Sequence, residues 1–176
     1  MRLMIDPNAK PTAVHTPLPV PLHWMEEVKA DMDRDVRLGV LEAVPIGKHV
    51  TWCHRMVVCA KKNGKPRRTV DFQPLNRFAK RETHHTQSPF IQARSVPRRT
   101  KKAVHDAWNG YHSVRLHEDD RNYTACITPW GSYRYEVAPQ GYLSPGDGYT
   151  RRHDEITADF KKKQGDRDDA QEITAF

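Results

Sequence analysis

The sequence predicts an α+β fold, because one amphipathic helical pattern precedes two separate hairpin patterns and a second helical stretch. Apolar residues of the first pattern recur at spacings of three and four, with charged residues between them: Met25, Val28, Met32 and Val36. This spacing places them on one face of a helix of about four turns, which Gly39 is expected to end. The segment VLEAV (40–44) is expected to follow as a short strand.

Two pairs of β-prone segments predict hairpins. The first pair is MVVCA (56–60) and RRTVDF (67–72), joined through Asn63-Gly64. Asn-Gly between such segments favours a hairpin, because both residues accept positive φ. The second pair is YTACIT (123–128) and SYRYEVA (132–138), joined through Pro-Trp-Gly. Weaker patterns predict a loop over 77–102 with one helix around 89–96, a strand at 103–107 and a helix over 144–160.

The domain organisation follows from composition. Residues 1–21 hold five prolines and are expected to form an extended lead-in outside the core. Residues 22–160 carry the periodic patterns and are expected to form the domain. Residues 161–176 hold four bases and four acids with almost no apolar pattern, so we expect them to be disordered or foreign to the fold.

Positive charge is concentrated in one part of the chain. The net charge is +7, but the segment from Lys48 to Lys102 holds fifteen Lys and Arg against two acids, which makes it +13. A basic block of this kind is typical of a surface that binds nucleic acid or a triphosphate. The plain alternative is a solvated basic face.

Cysteine usage and hydropathy indicate the compartment. Three cysteines form no even disulfide framework, and no secretory signal opens the chain, so an intracellular, cytoplasmic protein is expected. No apolar run approaches the ~20 residues that span a bilayer, so no membrane partner is expected. A zinc module built on Cys53, Cys59, His84 and His85 is an alternative, but the cysteine spacing does not fit known zinc-ligand pairs.

Three ordered segments together resemble a reverse transcriptase, nearest to those of gypsy-type LTR retrotransposons. They are VVCAKKNGKPRRTVDFQPLN (57–76), VHDAWNGYHSVRLHEDDRNYTACITPWGSYRYEV (104–137) and APQGYLSPGDGYTRRHDEI (138–156). The resemblance covers residues 17–160 and implies a fingers subdomain followed by part of a palm, with a mixed or antiparallel sheet and packed helices. It also implies template-directed DNA synthesis with a template-primer of RNA or DNA and deoxynucleotides as partners.

The resemblance assigns nucleotide-binding roles to the first hairpin and to a later loop. Lys61 or Lys62 and Arg67 match the residues that hold the triphosphate, and a guanidinium fork suits a phosphate group independently of the family. Gln140 matches the residue that contacts the nascent base pair, and Gly141 the position where backbone approaches the nucleotide closely. Solvated side chains at the hairpin tip are the alternative.

The second segment carries the residues expected at the metal site. Asp106 matches the first catalytic aspartate, which bridges two Mg²⁺ ions, and Ala107 would lend its backbone carbonyl to one of them. Such a reaction needs hard oxygen ligands that hold two cations about 4 Å apart. Tyr111 matches the residue that excludes a ribose 2′-hydroxyl; an ordinary half-buried tyrosine is the alternative.

A second carboxylate pair is missing from the resemblance. The family places an Asp-Asp pair after the helix that here ends near Phe160, and Asp168-Asp169 has flanks too polar for buried strands. Asp119-Asp120 lies in an acidic turn and is expected to be solvated. We therefore expect a truncated fragment that is inactive alone. The alternative is a non-enzymatic nucleic-acid-binding remnant of a retroelement.

Overall fold

The computed structural model describes residues 1–81, 84–85, 88, 90–91, 94, 110–143 and 145–164. Five strands lie within these ranges: β1 (Leu41–Ala43), β2 (His54–Ala60), β3 (Pro66–Val70), β4 (Cys126–Thr128) and β5 (Gly131–Tyr135). The α-helices with both ends in these ranges are α1 (Met25–Arg37), α2 (Gln73–Asn76) and α3 (Pro145–Gln164). Short 3₁₀ helices cover Leu22–Trp24, Gly110–Ser113 and Glu118–Thr124.

The strands form one mixed sheet in the order β1-β5-β4-β2-β3. Strands β2 and β4 are parallel, whereas the other three neighbouring pairs are antiparallel. Antiparallel partners can be joined by a short turn, but parallel ones need a longer connection. The predicted α+β class with a mixed sheet is confirmed.

Helix α1 confirms the first helical pattern. Val28 and Met32 are buried, and they pack with Val20 and Met56 in a small apolar cluster. The chain leaves the helix at Gly39, whose φ of 64° lies in the left-handed region that glycine adopts at little cost. The helix therefore ends at the predicted place, and the short strand β1 follows as expected.

The first hairpin also forms, although β3 ends at Val70, before the predicted end at Phe72. Strands β2 and β3 pair in a register that sets Cys59 opposite Arg67. In the connection, the Lys61 N–H donates to Lys65 O at 2.8 Å, and the side-chain oxygen of Asn63 accepts from the Lys65 N–H at 3.2 Å. Gly64 has a φ of 79°, which supports the Asn-Gly prediction. These local contacts fix the direction in which the basic tip projects.

The second hairpin, β4 to β5, is confirmed with two corrections, the first being that β5 ends at Tyr135, before the predicted end at residue 138. The prediction began its first strand at Tyr123, but Tyr123 and Thr124 belong to the 3₁₀ helix Glu118–Thr124. The Thr124 hydroxyl donates to Arg121 O at 2.7 Å and accepts from the Tyr135 N–H at 2.9 Å. Local side-chain bonds of this kind compete with strand pairing, so the strand begins only at Cys126.

The expectation that residues 1–21 lie outside the core is wrong. The segment is extended, but Leu3 and Val20 are each only 7% exposed and belong to the two apolar clusters of the domain. Isolated bridges join Ile5 to Ala79 and Ala13 to Cys53. The proline content of this segment predicts a lack of regular structure, but it does not predict exposure. The apolar residues between the prolines can still be buried.

The prediction for Asp120 is also wrong. Asp119 is exposed as expected, but Asp120 is only 3% exposed. Its carboxylate accepts from the Leu3 N–H at 2.7 Å and lies 3.2 Å from Arg2 Nε. A buried carboxylate needs such partners, and here they come from the far end of the chain.

The larger apolar cluster lies around β1, β3, β5 and α2. Its fully buried members include Leu41, Phe72 and Leu75, and aromatic rings of Trp52 and Tyr135 pack around them. Trp52 approaches the ring of Phe78 at a centroid distance of 5.9 Å. The cluster thereby ties the first hairpin to the second.

Other predictions fall partly or wholly outside the described residues. They are the strand at 103–107, most of the loop 77–102 with its helix, and residues 165–176. Helix α3 confirms the helical prediction for 144–160 and continues to Gln164. The boundaries at residues 21 and 160 stay predictions. Among the helices described, none is long and apolar enough to cross a membrane.

Candidate anion-binding site

A cavity of about 220 Å³ opens between α1, the first hairpin and the loop after β5. Four basic side chains and two acidic ones line it: Arg34, Lys61, Arg67, Arg68, Asp31 and Asp35. Thr69, His112, Tyr135 and Gln140 complete its polar wall. The excess of positive charge suits an anionic ligand.

Lys61 and Arg67 are exposed cations at this cavity. Neither has an ion-pair partner within the part of the chain that the structure describes. They lie on either side of the hairpin connection, so its hydrogen bonds hold both in a fixed relation. A planar guanidinium and an ammonium presented together can bind two phosphate groups of one ligand.

Lys62 has a different position. It is exposed at the hairpin tip and is not among the described residues that line the cavity. The sequence left Lys61 and Lys62 as alternatives for the same role. The structure places Lys61 at the cavity and leaves Lys62 facing solvent.

The structure adds a largely buried ion pair that the sequence did not predict. A side-chain nitrogen of Arg68, Nη2, donates to Asp35 Oδ2, and these side chains are only 14% and 13% exposed. Asp35 also lies 3.9 Å from Arg34 Nε, measured from Oδ1. One signal could have identified Asp35: it follows buried Met32 by three positions, on the apolar face of α1.

Two further wall residues, also missed, are uncharged at neutral pH. Burial lowers the pKa of His112, and the nearby Arg68 charge lowers it further against the opposing effect of Asp35. Burial raises the pKa of Tyr135 well above its usual range. The cavity therefore joins charged groups to neutral hydrogen-bonding ones. We find no sequence signal for His112.

Gln140 and Gly141 lie in the loop that follows β5. The side chain of Gln140 is exposed at the cavity wall. Gly141 has a φ of 92°, and its carbonyl accepts from Asn76 Nδ2 at 2.8 Å. A Cβ at this glycine would lie 3.5 Å from the Val70 carbonyl oxygen, an ordinary contact. The backbone conformation, rather than crowding, is what favours glycine here.

Tyr111 is half-buried and is not among the described lining residues of the cavity. Its ring meets that of Tyr149 on α3 edge to face, with centroids 6.0 Å apart. Its neighbour His112 does reach the cavity. The structure thus brings together Lys61, Arg67 and Gln140, and packs Tyr111 against Tyr149 of α3 instead of at the cavity wall.

The residues predicted for the metal site, Asp106 and Ala107, lie outside the described residues. In the ranges that are described, no group of three or more His, Cys, Asp or Glu side chains could hold a metal ion. Of the cysteines proposed for a zinc module, Cys53 is buried and Cys59 exposed. Asp120 is bound to Arg2 and Leu3.

Sequence comparison relates the chain to retroelement polyproteins, although no protein-family model matches it. It is 31% identical over 86 residues to a putative enzymatic polyprotein of cassava vein mosaic virus, covering 47% of this chain and 13% of that protein. It is 26% identical over 125 residues to the Tf2-3 transposon polyprotein of Schizosaccharomyces pombe, covering 70% of this chain and 9% of that protein. The chain therefore spans about a tenth of these relatives.

Structural comparison relates the fold to a prototype foamy virus protease-reverse transcriptase. The TM-score is 0.74 at 17% identity, over 89% of this chain and 20% of the viral one. A foamy virus protease-reverse transcriptase in complex with an RNA/DNA hybrid gives a TM-score of 0.71 at 16% identity, over 86% of this chain and 19% of that one. The chain shares this fold and matches retroelement polyproteins over part of its sequence.

Proposed function

We propose that this chain is the fingers and first palm portion of a gypsy-type retroelement reverse transcriptase, and that its cavity binds the triphosphate of an incoming deoxynucleotide. One observation carries the proposal: Lys61 and Arg67 from one motif and Gln140 from another line one cavity. Lys61 and Arg67 share one hairpin, whereas Gln140 comes from a segment distant in sequence and is brought to them by the fold. The match to retroelement polyproteins supports the same conclusion.

Each group has a role that its chemistry allows. Arg67 would pair with a phosphate through its planar fork, and Lys61 would add a point charge to a second phosphate. Gln140 has an amide that can both donate to and accept from a base or sugar. The neutral His112 and Tyr135 would add hydrogen bonds without adding charge.

Template-directed DNA synthesis also requires Mg²⁺. Asp106 and the Ala107 carbonyl would bind it, supplying the charge that stabilises phosphoryl transfer. A single carboxylate leaves two such ions under-ligated, so the 176-residue chain by itself is proposed not to extend a primer. A primer-extension rate that Asp106→Ala abolishes would contradict this part of the proposal.

The test of the proposed function is calorimetric titration of the purified protein with a deoxynucleoside triphosphate. We expect Arg67→Gln to weaken binding by about tenfold, the usual loss of ~1.4 kcal/mol when a charged hydrogen-bond partner is removed. Arg77→Gln removes the same charge from an exposed position outside the cavity lining and is the matched control. Equal affinity of the unmodified protein, Arg67→Gln and Arg77→Gln for the deoxynucleoside triphosphate would contradict the proposal.

A second candidate function is nucleic-acid binding without catalysis. The observation in its favour is the exposed set of cations at the hairpin tip: Lys61, Lys62, Lys65 and Arg67. A foamy virus protein with this fold binds an RNA/DNA hybrid, which supports nucleic acid as a partner. Binding of a hybrid that weakens steeply with salt and does not respond to Mg²⁺ would favour this candidate.

A further inference from the structure

Two consecutive arginines line the same cavity, yet they have different partners. Arg67 is exposed and has no ion pair among the described residues, whereas Arg68 is mostly buried and paired with Asp35. A guanidinium group binds a carboxylate and a phosphate through the same N–H groups. The Asp35 carboxylate therefore stands where a phosphate oxygen could bind Arg68.

Asp35 is poorly placed by its own helix. It lies in the last turn of α1, where the helix dipole disfavours a negative charge. Asp31, one turn earlier on the same face, is a second carboxylate at the cavity, and like charges at this spacing repel. Arg68 is thus the main group that holds the Asp35 carboxylate in place.

A displaced Asp35 carboxylate has another partner within reach. Arg34 Nε lies 3.9 Å from Asp35 Oδ1, while Nη1 of the same, 55% exposed side chain pairs with Asp31 Oδ1 at 3.0 Å, so Arg34 would bridge the two carboxylates. A modest rotation of Asp35 toward Arg34 would release Arg68 while leaving the carboxylate paired. The ion pair between Arg68 and Asp35 can therefore open without leaving the carboxylate unpaired.

We propose that Arg68 is a second phosphate subsite of the cavity, and that Asp35 occupies it until a phosphate group of the nucleotide displaces the carboxylate. This inference rests on the proposed function. Asp35 then weakens binding of the bare triphosphate by competing for Arg68. The competition selects ligands with enough negative charge to displace a carboxylate, so a triphosphate is favoured over a monophosphate.

The test is titration with inorganic triphosphate, which probes the charge alone. Asp35→Asn should bind it about fivefold more tightly than the unmodified protein, because a competing charge-assisted bond is lost. Adding Arg68→Gln to Asp35→Asn should remove the gain. The matched control is Asp33→Asn, which makes the same charge change on α1 at an aspartate that pairs with Lys29 and does not line the cavity.

Equal or weaker binding by folded Asp35→Asn would overturn the inference. If circular dichroism shows that this variant is unfolded, arginine side-chain NMR of the unmodified protein decides instead. The Arg68 signals should shift during the titration with the same midpoint as those of Arg67. Arg68 signals that do not shift would mean that the ion pair with Asp35 is purely structural.

The outcomes separate this inference from the proposed function. If neither the unmodified protein nor Asp35→Asn binds triphosphate, both the Arg68 subsite and the proposed function are overturned. If the unmodified protein binds and Arg67→Gln weakens that binding, the proposed function stands. In that case, absence of a gain in Asp35→Asn overturns the Arg68 subsite alone.

Discussion

The carboxylate of Asp120 accepts a hydrogen bond from the backbone N–H of Leu3 at 2.7 Å, across 117 positions of the chain. Arg2 lies beside it, with Nε 3.2 Å from the same carboxylate oxygen. These contacts hold the first residues on the domain, next to the buried side chain of Leu3. The amino-terminal segment is therefore an integral part of the fold.

The first prediction concerns this carboxylate. Asp120→Ala should lower the free energy of unfolding by about 2–3 kcal/mol, because a buried bond to a charged group is lost and the Leu3 N–H is left unpaired. Asp119→Ala is the control; that side chain is 72% exposed, and its loss should cost less than about 1 kcal/mol. Urea unfolding measures both. If Asp120→Ala lowered the free energy of unfolding as little as Asp119→Ala is expected to, the Asp120 contact would add nothing to stability.

The second prediction concerns the cluster under α1. Met32 is fully buried, so Met32→Ala should lower the free energy of unfolding by about 2–5 kcal/mol through lost burial and the cavity left behind. Val36→Ala alters the same helix at a side chain that is 38% exposed and should have a much smaller effect. Thermal unfolding of the two variants tests this, and a similar loss in both would place the packing face of α1 elsewhere.

These elements show which parts of the fold the sequence predicts. Helix α1 and the Asn63-Gly64 hairpin depend on spacings and turn chemistry within a few residues, so local patterns are enough to predict them. The Asp120–Leu3 bond and the Asp35–Arg68 pair join distant segments. Nothing local distinguishes Asp120 from Asp119, so tertiary packing alone decides which of them is buried.

The residues of the candidate site also fall into two groups, those that a local motif identifies and those that only the fold brings to the cavity. Lys61, Arg67 and Gln140 could be identified because each belongs to a motif that resembles a known family. Asp35 and His112 belong to no such motif, and only the fold brings them to the cavity. Tyr111 was identified by its motif, but its contact with Tyr149 depends on where α3 packs.

The third prediction concerns pH. Burial lowers the pKa of His54; its Nε2–H donates to Tyr123 O at 3.0 Å, and its buried Nδ1 has no hydrogen-bond partner among the described residues. The folded state therefore binds a proton at His54 less readily than the unfolded state does. Above the ordinary histidine pKa of about 6.5, the contribution of neutral His54 to the free energy of unfolding is complete. That contribution decreases as the pH falls below this value.

The measurement for His54 is the free energy of unfolding between neutral and mildly acidic pH. His54→Gln keeps an N–H donor but cannot titrate there, so stability should fall less steeply than in the unmodified protein. His49→Gln, at an exposed position, is the matched control and should leave the slope nearly unchanged. A slope unaffected by His54→Gln would exclude His54 as the group responsible.

The fourth prediction concerns thiol reactivity. Burial raises the pKa of the Cys126 thiol to about 12 and also raises that of Cys53, whereas Cys59 is exposed on β2. Since the thiolate is the reactive form, iodoacetamide should label Cys59 first in the folded protein. Mass spectrometry identifies the labelled residue, and labelling in urea, where all three should react, is the control. Early labelling of Cys126 would contradict the packing around β4.

The most direct test of the central claim is to observe the cavity residues while a deoxynucleoside triphosphate binds. In two-dimensional NMR, the backbone amide signals of Lys61, Arg67 and Gln140 should shift together with one titration midpoint, while that of Arg77 stays unchanged. This result would show that residues from separate motifs form one nucleotide site. Shifts confined to the hairpin, with Gln140 unaffected, would show only general anion binding by the basic tip and would contradict the account.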